Sequence, residues 1–491
     1  MASKMTPAPR KKGKEINSQS RRRFLKTVAA LIASPMGRAV ASLPNIPPSR
    51  RLHLSPTQQR GNTVLYMWSG ALTSTSAKVK ASLENSNPIH LIVQTENRRE
   101  TQAIKVDPAY KDGHFLASFD IKDLKPNTKY EYYVAAVDGS DVDGPIGRFK
   151  TAHEGFGSFK IAFGNCCDSG TQSGIFIDIA KRNPLFFIQI GDLHYENITE
   201  NDSDKFRSAY GKVLKSTPQG EMYLTCPSVY VWDDHDFGGD NSDKYSKAAK
   251  AAQLAYRECV PHHALSRKYS GAIYHSFTIG RVKFIVSDCR SVKSPAFYND
   301  DHRKSMLGSA QKAWLKSEFL KGKKQHSLIV WVNPLPWISG SDNDTWAGYS
   351  AERHEIATFI EDNQINNLVM LGGDAHVLAM DDGENNRYGA KHRKLFPICH
   401  AGPLDSIPKS RGGPYGQIAD LNNGHYGTME VIDNETGVRV LWKGYHFDKD
   451  STPSRSASGS QIMSLDLQFP AALDLDPILD HELYLPFAPD E

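Results

Sequence analysis

Several short apolar segments between residues 159 and 376 end in side chains that bind metals, and this repetition restricts the fold more than any other feature. The clearest of them is residues 187–197, with the sequence FIQIGDLHYEN. An apolar run this short that ends in Gly-Asp predicts a buried parallel strand. Asp192 would then lie at the carboxyl edge of an α/β sheet, where ligands usually bind.

Five such ends occur in chain order, and each closes a predicted strand. They are Asn165-Cys166-Cys167-Asp168, Gly191-Asp192-Leu193-His194-Tyr195, Trp232-Asp233-Asp234-His235-Asp236 followed by Asp240-Asn241, Ser287-Asp288-Cys289-Arg290, and Gly372-Gly373-Asp374-Ala375-His376. One carboxylate at the end of a strand often does no more than cap the next helix. Five donor groups at one edge of a sheet indicate a shared site.

The donor types in these ends suit two different metal ions. Oxygen donors with one thiolate and one imidazole favour iron, whereas carboxylate and amide oxygens favour calcium, magnesium or manganese. Two metal ions about 3.5–4 Å apart are a common means of attacking an anionic phosphate ester. A carboxylate between the two ions, such as Asp192, would hold that spacing. The sequence therefore predicts metal-assisted chemistry on phosphorus.

The order of the remaining segments predicts two folded parts. From residue 159 onward predicted strands alternate with helices, which indicates an α/β or mixed sandwich of about 290 residues at 158–447. Residues 60–152 contain short apolar runs bounded by Gly, Pro, Asn and Asp, which predict an all-β domain. Within it, residues 124–130 are typical of a tyrosine corner, and the whole segment resembles a fibronectin type III domain. Residues 448–491 are predicted to be a linker and a tail, and the tail is expected to dock back as an arm or lid.

The first 41 residues carry the features of an export signal. They contain Ser20-Arg21-Arg22-Arg23-Phe24-Leu25-Lys26, which matches the twin-arginine consensus, then a modest apolar stretch, and then Ala39-Val40-Ala41, a small-residue cleavage site. This pattern predicts a signal peptide at 1–41, a linker at 42–59 and the twin-arginine translocase as a partner. The protein is therefore expected to be periplasmic or secreted; a disordered basic tail is the alternative.

Charge and hydropathy argue against two classes of function. Residues 1–41 hold ten Lys or Arg and one Glu, so their removal would change the formal net charge from +4 to −5. A mildly acidic mature chain gives no indication of nucleic-acid binding through a basic face. No apolar run approaches the roughly 20 residues that span a bilayer, so no membrane span is expected.

This order of motifs resembles the alkaline phosphatase D (PhoD-like) family of metallophosphoesterases, whose members also carry a twin-arginine signal and a β-sandwich domain ahead of the catalytic domain. The resemblance covers nearly all of residues 20–450. It implies a four-layer α/β sandwich of the metallophosphoesterase type, preceded by the all-β domain. It also implies a hydrolase of phosphate ester substrates, in which a metal-bound hydroxide or oxide attacks phosphorus.

The resemblance assigns ligands to two metal sites. It implies that ferric iron is held by Cys166, Asp192, Tyr195 and His376. It implies that a second ion, calcium or another divalent cation, is held by Asp192, Asn241 and Asp374. The chain departs from the family pattern at one point, because Asp240 precedes Asn241 and leaves the second ligand ambiguous by one residue.

Two further residues have predicted catalytic roles, each with an alternative. Arg290 would orient the phosphate through a bidentate guanidinium, or it would form an ion pair with Asp288. His235 would donate a proton to the leaving oxygen, or it would orient the metal ligands.

Two other functions stay open. Within the hydrolases, a phosphodiesterase acting on teichoic acid, phospholipid or nucleotide diesters would use the same residues. From another class, a surface binding protein would recognise a polymer or a partner through the β-sandwich, with the second domain as a degenerate scaffold. Lost donors would indicate the binding protein, yet every expected position except the Asp240-Asn241 pair is filled.

Overall fold

The structure is a computed structural model that describes residues 62–140, 142–266, 271–434, 437–448 and 458–470. The predicted signal peptide and linker lie outside these ranges, as does the end of the predicted tail. In the described part of the chain, no helix has the length and apolar character needed to cross a membrane.

The first described part of the chain is built from strands alone. Its strands are β1 (Val64–Gly70), β2 (Ala77–Leu83), β3 (Ile89–Thr95), β4 (Thr101–Val106), β5 (Ala109–Lys111), β6 (His114–Ile121), β7 (Lys129–Ala136) and β8 (Gly147–Lys150). Strands β3, β4, β7 and β8 form one sheet, and β1, β2, β5 and β6 belong to another. Side chains from both sheets, such as Leu91 of β3 and Phe119 of β6, share one apolar core. The predicted tyrosine corner is present, since the Tyr130 hydroxyl accepts a hydrogen bond from the Lys125 backbone N–H at 2.9 Å.

Helices and strands then alternate, as the sequence predicted. The elements are β9 (Phe159–Gly164), α1 (Ile175–Lys181), β10 (Phe187–Ile190), α2 (Ser203–Lys215), α3 (Thr217–Thr225), β11 (Ser228–Val231), α4 (Asp234–Phe237), α5 (Ala249–Cys259), β12 (His275–Ile279), β13 (Val282–Val286), α6 (Gly308–Gln325), β14 (Leu328–Asn333), a 3-10 turn (Trp346–Tyr349), α7 (Ser350–Asp362), β15 (Leu368–Gly372), β16 (Ala379–Asp381), β17 (Ile398–His400), β18 (Gln417–Ile418), β19 (His425–Asn434), β20 (Gly437–His446) and β21 (Ser460–Pro470).

Two large sheets pack face to face in this part of the chain. One has ten strands in the order β21-β20-β19-β9-β10-β11-β1-β2-β6-β5, and the other has seven in the order β12-β13-β14-β15-β17-β16-β18. Their contact is visible between the rings of Phe159 on β9 and Phe284 on β13, whose centroids are 6.4 Å apart.

Helices cover the outer faces of both sheets. On the ten-stranded sheet, Phe187 of β10 contacts Tyr223 of α3, with ring centroids 6.2 Å apart. On the seven-stranded sheet, Trp331 of β14 packs against Phe319 of α6 at 5.2 Å. The layers therefore run helix, sheet, sheet, helix, which is the four-layer arrangement that the family resemblance implied. Because both faces of the central strands are covered, those strands are continuous apolar runs.

The N-terminal strands are joined to the larger part of the fold. Strand β1 pairs in parallel with β11, where Gly70 lies opposite Ser228. The Trp68 indole N–H also donates a hydrogen bond to the Cys259 carbonyl oxygen at 2.8 Å, at the end of α5. One sheet of the N-terminal sandwich is thus continuous with the ten-stranded sheet, which the local pattern of residues 60–152 did not indicate.

Part of the predicted tail is a strand of the same sheet. Strand β21 pairs antiparallel with β20, from Pro470 opposite Gly437 to Ser460 opposite His446. The segment before it is held by Gly459, whose N–H donates to the Asp178 carboxylate at 3.0 Å. The described part of the tail does dock back on the fold, where residues 460–470 form an edge strand.

Buried histidines make the stability of this fold dependent on pH. Burial lowers the pKa of His194, His275 and His400 to about 4 each, whereas an unfolded chain has ~6.5. Between these values the unfolded chain binds protons that the folded chain excludes. Stability is therefore complete above pH ~6.5 and is lost as the pH falls towards 4, by up to ~3 kcal/mol per histidine. We expect the melting temperature to fall between about pH 7 and 4.5, and to fall less in His275→Gln.

The exposed His302 provides a matched control for this measurement. His302→Gln should keep the wild-type dependence of melting temperature on pH, because an exposed imidazole is solvated in both states. Equal pH dependence in His275→Gln and the wild type would contradict the prediction.

Candidate metal centre

The predicted ligands lie where the carboxyl ends of strands from both large sheets meet. Cys166 follows β9 and Asp192 follows β10 in the ten-stranded sheet, while Asp374 follows β15 in the seven-stranded sheet. Two glycines of the Gly-Asp motifs permit this convergence. A Cβ on Gly373 would lie 2.4 Å from the Ile190 carbonyl oxygen, and one on Gly191 would lie 2.6 Å from the Asp233 Cβ.

The backbone at the ligands has an unusual conformation. Five of the six predicted metal ligands have a positive φ between 50° and 57°, namely Cys166, Asp192, Asn241, Asp374 and His376. Non-glycine residues rarely adopt this left-handed region, and such residues cluster at functional sites. The chain therefore turns sharply at the ends of these strands, and the side chains of these residues point into one space.

The four predicted iron ligands converge on one another. The Asp192 Oδ2 atom is 3.4 Å from the Cys166 Sγ and 2.9 Å from the Tyr195 hydroxyl. The Tyr195 hydroxyl is in turn 3.4 Å from the His376 Nε2. The His376 Nδ1 lies 2.7 Å from the Ile407 carbonyl oxygen, so Nδ1 carries the proton and Nε2 offers its lone pair to the cluster. The structure thus brings together the thiol, carboxylate, phenol and imidazole that the sequence singled out.

A second group of donors lies beside the first and shares Asp192 with it. Ligand atoms of Asp192, Asp234 and His235 lie within 4.8 Å of one another, as do those of Cys166, Asp192 and His376. A carboxylate common to two donor groups is the geometry expected of a residue that bridges two metal ions.

Of this second group, the sequence assigned only Asp192 as a ligand, and Asp234 is the carboxylate that it left without a role. The motif Trp-Asp-Asp-His-Asp offers three carboxylates within four positions, and sequence alone does not distinguish which of them turns inward. In the structure, the Asp234 Oδ2 accepts a hydrogen bond from the Asn241 backbone N–H at 2.6 Å. The Asn241 side chain is exposed and donates to the Asp240 Oδ2 at 2.8 Å. Asn241 therefore contacts the centre through its backbone here, and Asp234 supplies the carboxylate.

The neighbouring Asp236 holds two loops of the centre together. Its Oδ2 accepts hydrogen bonds from the Leu193 N–H at 2.8 Å and from the Tyr230 hydroxyl at 2.6 Å. Its Oδ1 accepts from the Asp233 N–H at 2.6 Å. One buried carboxylate thereby fixes the loop after β10 relative to the loop after β11.

The buried carboxyl groups of the centre lie close together, so their ionised forms require positive charge nearby. Burial and the neighbouring carboxylates raise the pKa of Asp192 well above its usual range, and burial raises the pKa of Asp374 to about 7. The Asp192 Oδ1 and Asp233 Oδ2 atoms are buried without hydrogen-bond partners among the described residues. Buried charges are normally paired or bound to metals. The donor set and its unpaired oxygens therefore fit metal cations between the two groups.

Arg290, a predicted phosphate-binding residue, is completely buried beneath the centre. Its Nε lies 2.5 Å from the Asp233 Oδ1, and its Nη1 lies 2.9 Å from the Asp344 Oδ2. Asp288, the alternative ion-pair partner, instead accepts a hydrogen bond from the Trp232 indole at 3.0 Å. This geometry favours a role in holding the carboxylates over contact with substrate.

Arg411 is a residue of the centre that sequence reasoning missed. Its Nη1 lies 2.6 Å from the Asp374 carboxylate, and its Nη2 lies 2.9 Å from the Asp342 Oδ2. The side chain keeps 11% of its surface exposed, so it reaches both the centre and solvent. It comes from an irregular loop rich in Gly and Pro, where no periodic pattern marks a functional position.

The comparisons with known proteins point to phosphatases. Residues 165–406, which contain every predicted metal ligand, match the family model of the PhoD-like phosphatases. Alkaline phosphatase D of Bacillus subtilis (strain 168) is 23% identical over 305 residues, which is 52% of this chain and 52% of that protein. The chain thus spans about half the length of this curated relative.

Two solved structures share the fold. The structure of PhoD has a TM-score of 0.68 at 18% identity and covers 83% of this chain and 90% of its own. The purple acid phosphatase PPD1 from yellow lupin (Lupinus luteus) seeds has a TM-score of 0.58 at 10% identity, with coverages of 83% and 74%. The chain therefore shares the fold of these two phosphatases. The match of residues 165–406 to that family model supports the PhoD-like family, which the motifs predicted.

The burial of Arg290 predicts a large effect on stability. Arg290→Met should destabilise the protein by roughly 3–5 kcal/mol, because it leaves Asp233 buried without its cation and removes one of the cations that hold Asp344, which Lys293 still contacts. Chemical unfolding of the variant and the wild type measures this difference.

The same substitution at an exposed ion pair is the control. Arg439 pairs with Asp466 on the surface of β20 and β21, and Arg439→Met should leave the unfolding midpoint nearly unchanged. If Arg290→Met kept wild-type stability and lost only phosphate binding, Arg290 would be a substrate ligand.

Proposed function

We propose that this protein is an exported, metal-dependent hydrolase of phosphoric esters. The observation that carries the proposal is the position of Asp192, which belongs to both donor groups of the metal centre. The family supports the same class of reaction. The likeness covers only about half of the curated relative, so the activity of the whole protein is part of the proposal.

The two donor groups differ in chemistry, and we assign them to different ions. Cys166, Asp192, Tyr195 and His376 suit ferric iron, because a phenolate and a thiolate stabilise a trivalent ion. Asp192 and Asp234 of the second group, joined by Asp374 and by Asn241 as the proposed amide ligand, suit calcium or another divalent ion, and His235 of that group is assigned to proton transfer instead. When bound, two such ions neutralise phosphoryl oxygens and lower the pKa of a water molecule.

The side chains around the centre have roles of their own. Burial and the Asp192 carboxylate raise the pKa of the Tyr195 phenol, so its phenolate needs an adjacent cation. Asp192 orients both the Tyr195 hydroxyl and the Cys166 thiol through its Oδ2. Arg411, which reaches solvent, is the guanidinium that would orient the phosphate.

His235 is suited to protonate the leaving oxygen. Its ring lies 4.2 Å from the Tyr195 ring, and its side chain keeps 17% of its surface exposed at the mouth of the centre. The Nδ1 is 2.6 Å from the Asn197 Oδ1, which fixes the orientation of the ring. The Nε2 lies 3.8 Å from the Asp240 Oδ1.

Export is the part of the proposal that depends on sequence alone. The twin-arginine motif supports translocation of a folded protein to the periplasm or beyond, with its metal ions already bound. The fibronectin type III-like N-terminal sandwich would accompany the catalytic part as one folded unit, since β1 pairs with β11.

Hydrolysis of phosphodiesters is a second candidate function. A cleft of about 720 Å³ borders the centre at Asp240 and Ser242, which leaves room for a second ester substituent. Rates for a phosphate monoester and a diester with the same leaving group would decide between the two activities.

The assignment of iron predicts a coloured protein. Protein isolated without added metal should absorb visible light through charge transfer from Tyr195 to ferric iron, and Tyr195→Phe should lose this band. Tyr426→Phe is the matched control, because the Tyr426 hydroxyl contacts Asp178 at a distance from the centre. Elemental analysis should find iron in both the wild type and the control. A colourless wild type containing zinc or manganese would contradict the iron assignment.

The second site predicts a selective loss of one metal. Asp234→Asn and Asn241→Ala should lower the content of the divalent ion while iron is retained, because neither residue contacts Cys166 or His376. Asp240→Asn, which removes only the neighbouring surface charge, should keep both metals. If Asp240→Asn lost the divalent ion and Asn241→Ala kept it, Asp240 would be the ligand of this pair.

A further inference from the structure

Three exposed aromatic side chains form one surface beside the metal centre, which we call the aromatic platform. They are Tyr245, Phe297 and Tyr298, with 65%, 83% and 43% of their surfaces exposed. The rings of Phe297 and Tyr298 are 5.2 Å apart in an edge-to-face arrangement. The side chain of Tyr298 also interacts with that of Tyr245, so residues from two loops share the platform.

The loops that carry the platform are fixed to the metal centre. The Lys244 N–H donates a hydrogen bond to the Lys293 carbonyl oxygen at 3.1 Å, which joins the two loops. The Arg290 guanidinium donates to the Ser242 carbonyl oxygen at 3.3 Å from beneath the centre. The platform is therefore positioned by the same arginine that holds the carboxylate Asp233.

A cleft adjoins the platform at Tyr245 and reaches the residues on either side of Asn241. It has a volume of about 720 Å³, and Tyr245 lines it together with Asp240 and Ser242. These two residues flank Asn241, whose backbone N–H binds Asp234. Because Tyr245 is four residues beyond Asn241, it lies at most ~14 Å from it along the chain. A substrate with its phosphorus at the metal centre would therefore extend its organic group towards the platform.

Exposed aromatic rings at the rim of a cleft are suited to one kind of ligand. Large apolar side chains that remain in water beside a site commonly mark a binding surface. Aromatic faces bind other planar rings by stacking, without a requirement for particular hydrogen bonds. Phe297, the most exposed of the three, has no polar group to make other contacts.

We propose that the aromatic platform is a subsite for the organic group of the substrate, and that preferred substrates carry a planar aromatic or heteroaromatic ring there. This inference rests on the proposed hydrolase function, because it places the scissile phosphate at the metal centre. A nucleoside phosphate has the required shape, with its ring system separated from phosphorus by the sugar.

The test compares two esters of the same primary alcohol that differ only in the base. Adenosine 5′-monophosphate and ribose 5-phosphate are hydrolysed by metal-replete, full-length protein, and kcat/KM is measured for each. The wild type should prefer the nucleotide. Phe297→Ala and Tyr245→Ala should lower kcat/KM for the nucleotide about tenfold, a typical effect of one lost stacking contact, and leave ribose 5-phosphate unchanged.

Phe156→Ala is the matched control, since Phe156 is an exposed aromatic residue that contacts Arg281 instead of the cleft. It should change neither substrate. Equal kcat/KM for both esters in the wild type, with no effect of the platform variants, would overturn the subsite and leave the hydrolase intact. Variants that change only the oligomeric mass in sedimentation would also overturn it, because the platform would then be a contact between copies.

Binding of adenosine can be measured without hydrolysis, so it tests the aromatic platform separately from the hydrolase function. If the wild type hydrolyses neither ester, the proposed function fails, and the platform is tested with adenosine alone by calorimetry. Adenosine binding that is lost in Phe297→Ala would still support a subsite for planar rings. No binding to the wild type would overturn it.

Discussion

The repulsion between buried carboxylates is the constraint on which the metal centre and its surroundings depend. Asp192, Asp233, Asp234 and Asp374 converge at the ends of strands from both sheets, where water is largely excluded. Carboxylates this close do not all ionise in a low-dielectric interior unless cations are present. Arg290 and Arg411 supply two positive charges at the periphery. The space between the carboxylates is left for metal ions, which would in turn bring the Cys166 thiol and the Tyr195 phenol within reach of deprotonation.

The fold holds this unfavourable arrangement by making its surroundings rigid. The two sheets pack face to face, and their strand ends approach so closely that Gly191 and Gly373 have no room for side chains. Asp236 ties the loop after β10 to the loop after β11. Even the N-terminal sandwich contributes, because β1 extends the sheet beyond β11. Five predicted ligands have positive φ angles, which are energetically unfavourable for residues other than glycine. The packed strands on either side maintain this conformation.

Sequence predicted the parts of this centre that depend on short-range order. Cys166, Asp192, Tyr195 and His376 each follow an apolar strand within a few residues, so the pattern placed them at strand ends, and the family resemblance grouped them as ligands. The single sheet edge expected for them is in fact the junction of two sheets. Local patterns do not specify which of the carboxylates of Asp233, Asp234 and Asp236, at the start of the four-residue helix α4, turns towards the centre, and the sequence therefore did not assign Asp234 as a ligand. For the same reason, local patterns did not predict contacts between segments that are far apart in the chain. Arg411 comes from an irregular loop, and the pairings of β1 with β11 and of β21 with β20 join segments far apart in the chain.

The metal centre bears on the class of reaction, whereas the rim of the cleft bears on the choice of substrate. Two metal ions bind a phosphoryl group in the same way whatever alcohol is attached to it, so the ligands define a class of reaction and say little about the substrate. In the proposed subsite, the organic group of the ester would instead contact the loops around residues 238–248 and 287–298. Arg290 connects the two regions, because it binds the Asp233 carboxylate on one side and the Ser242 carbonyl on the other. A change in the rim that moves Ser242 would therefore shift a carboxylate of the metal centre as well, and substrate preference and metal geometry are coupled through this one buried side chain.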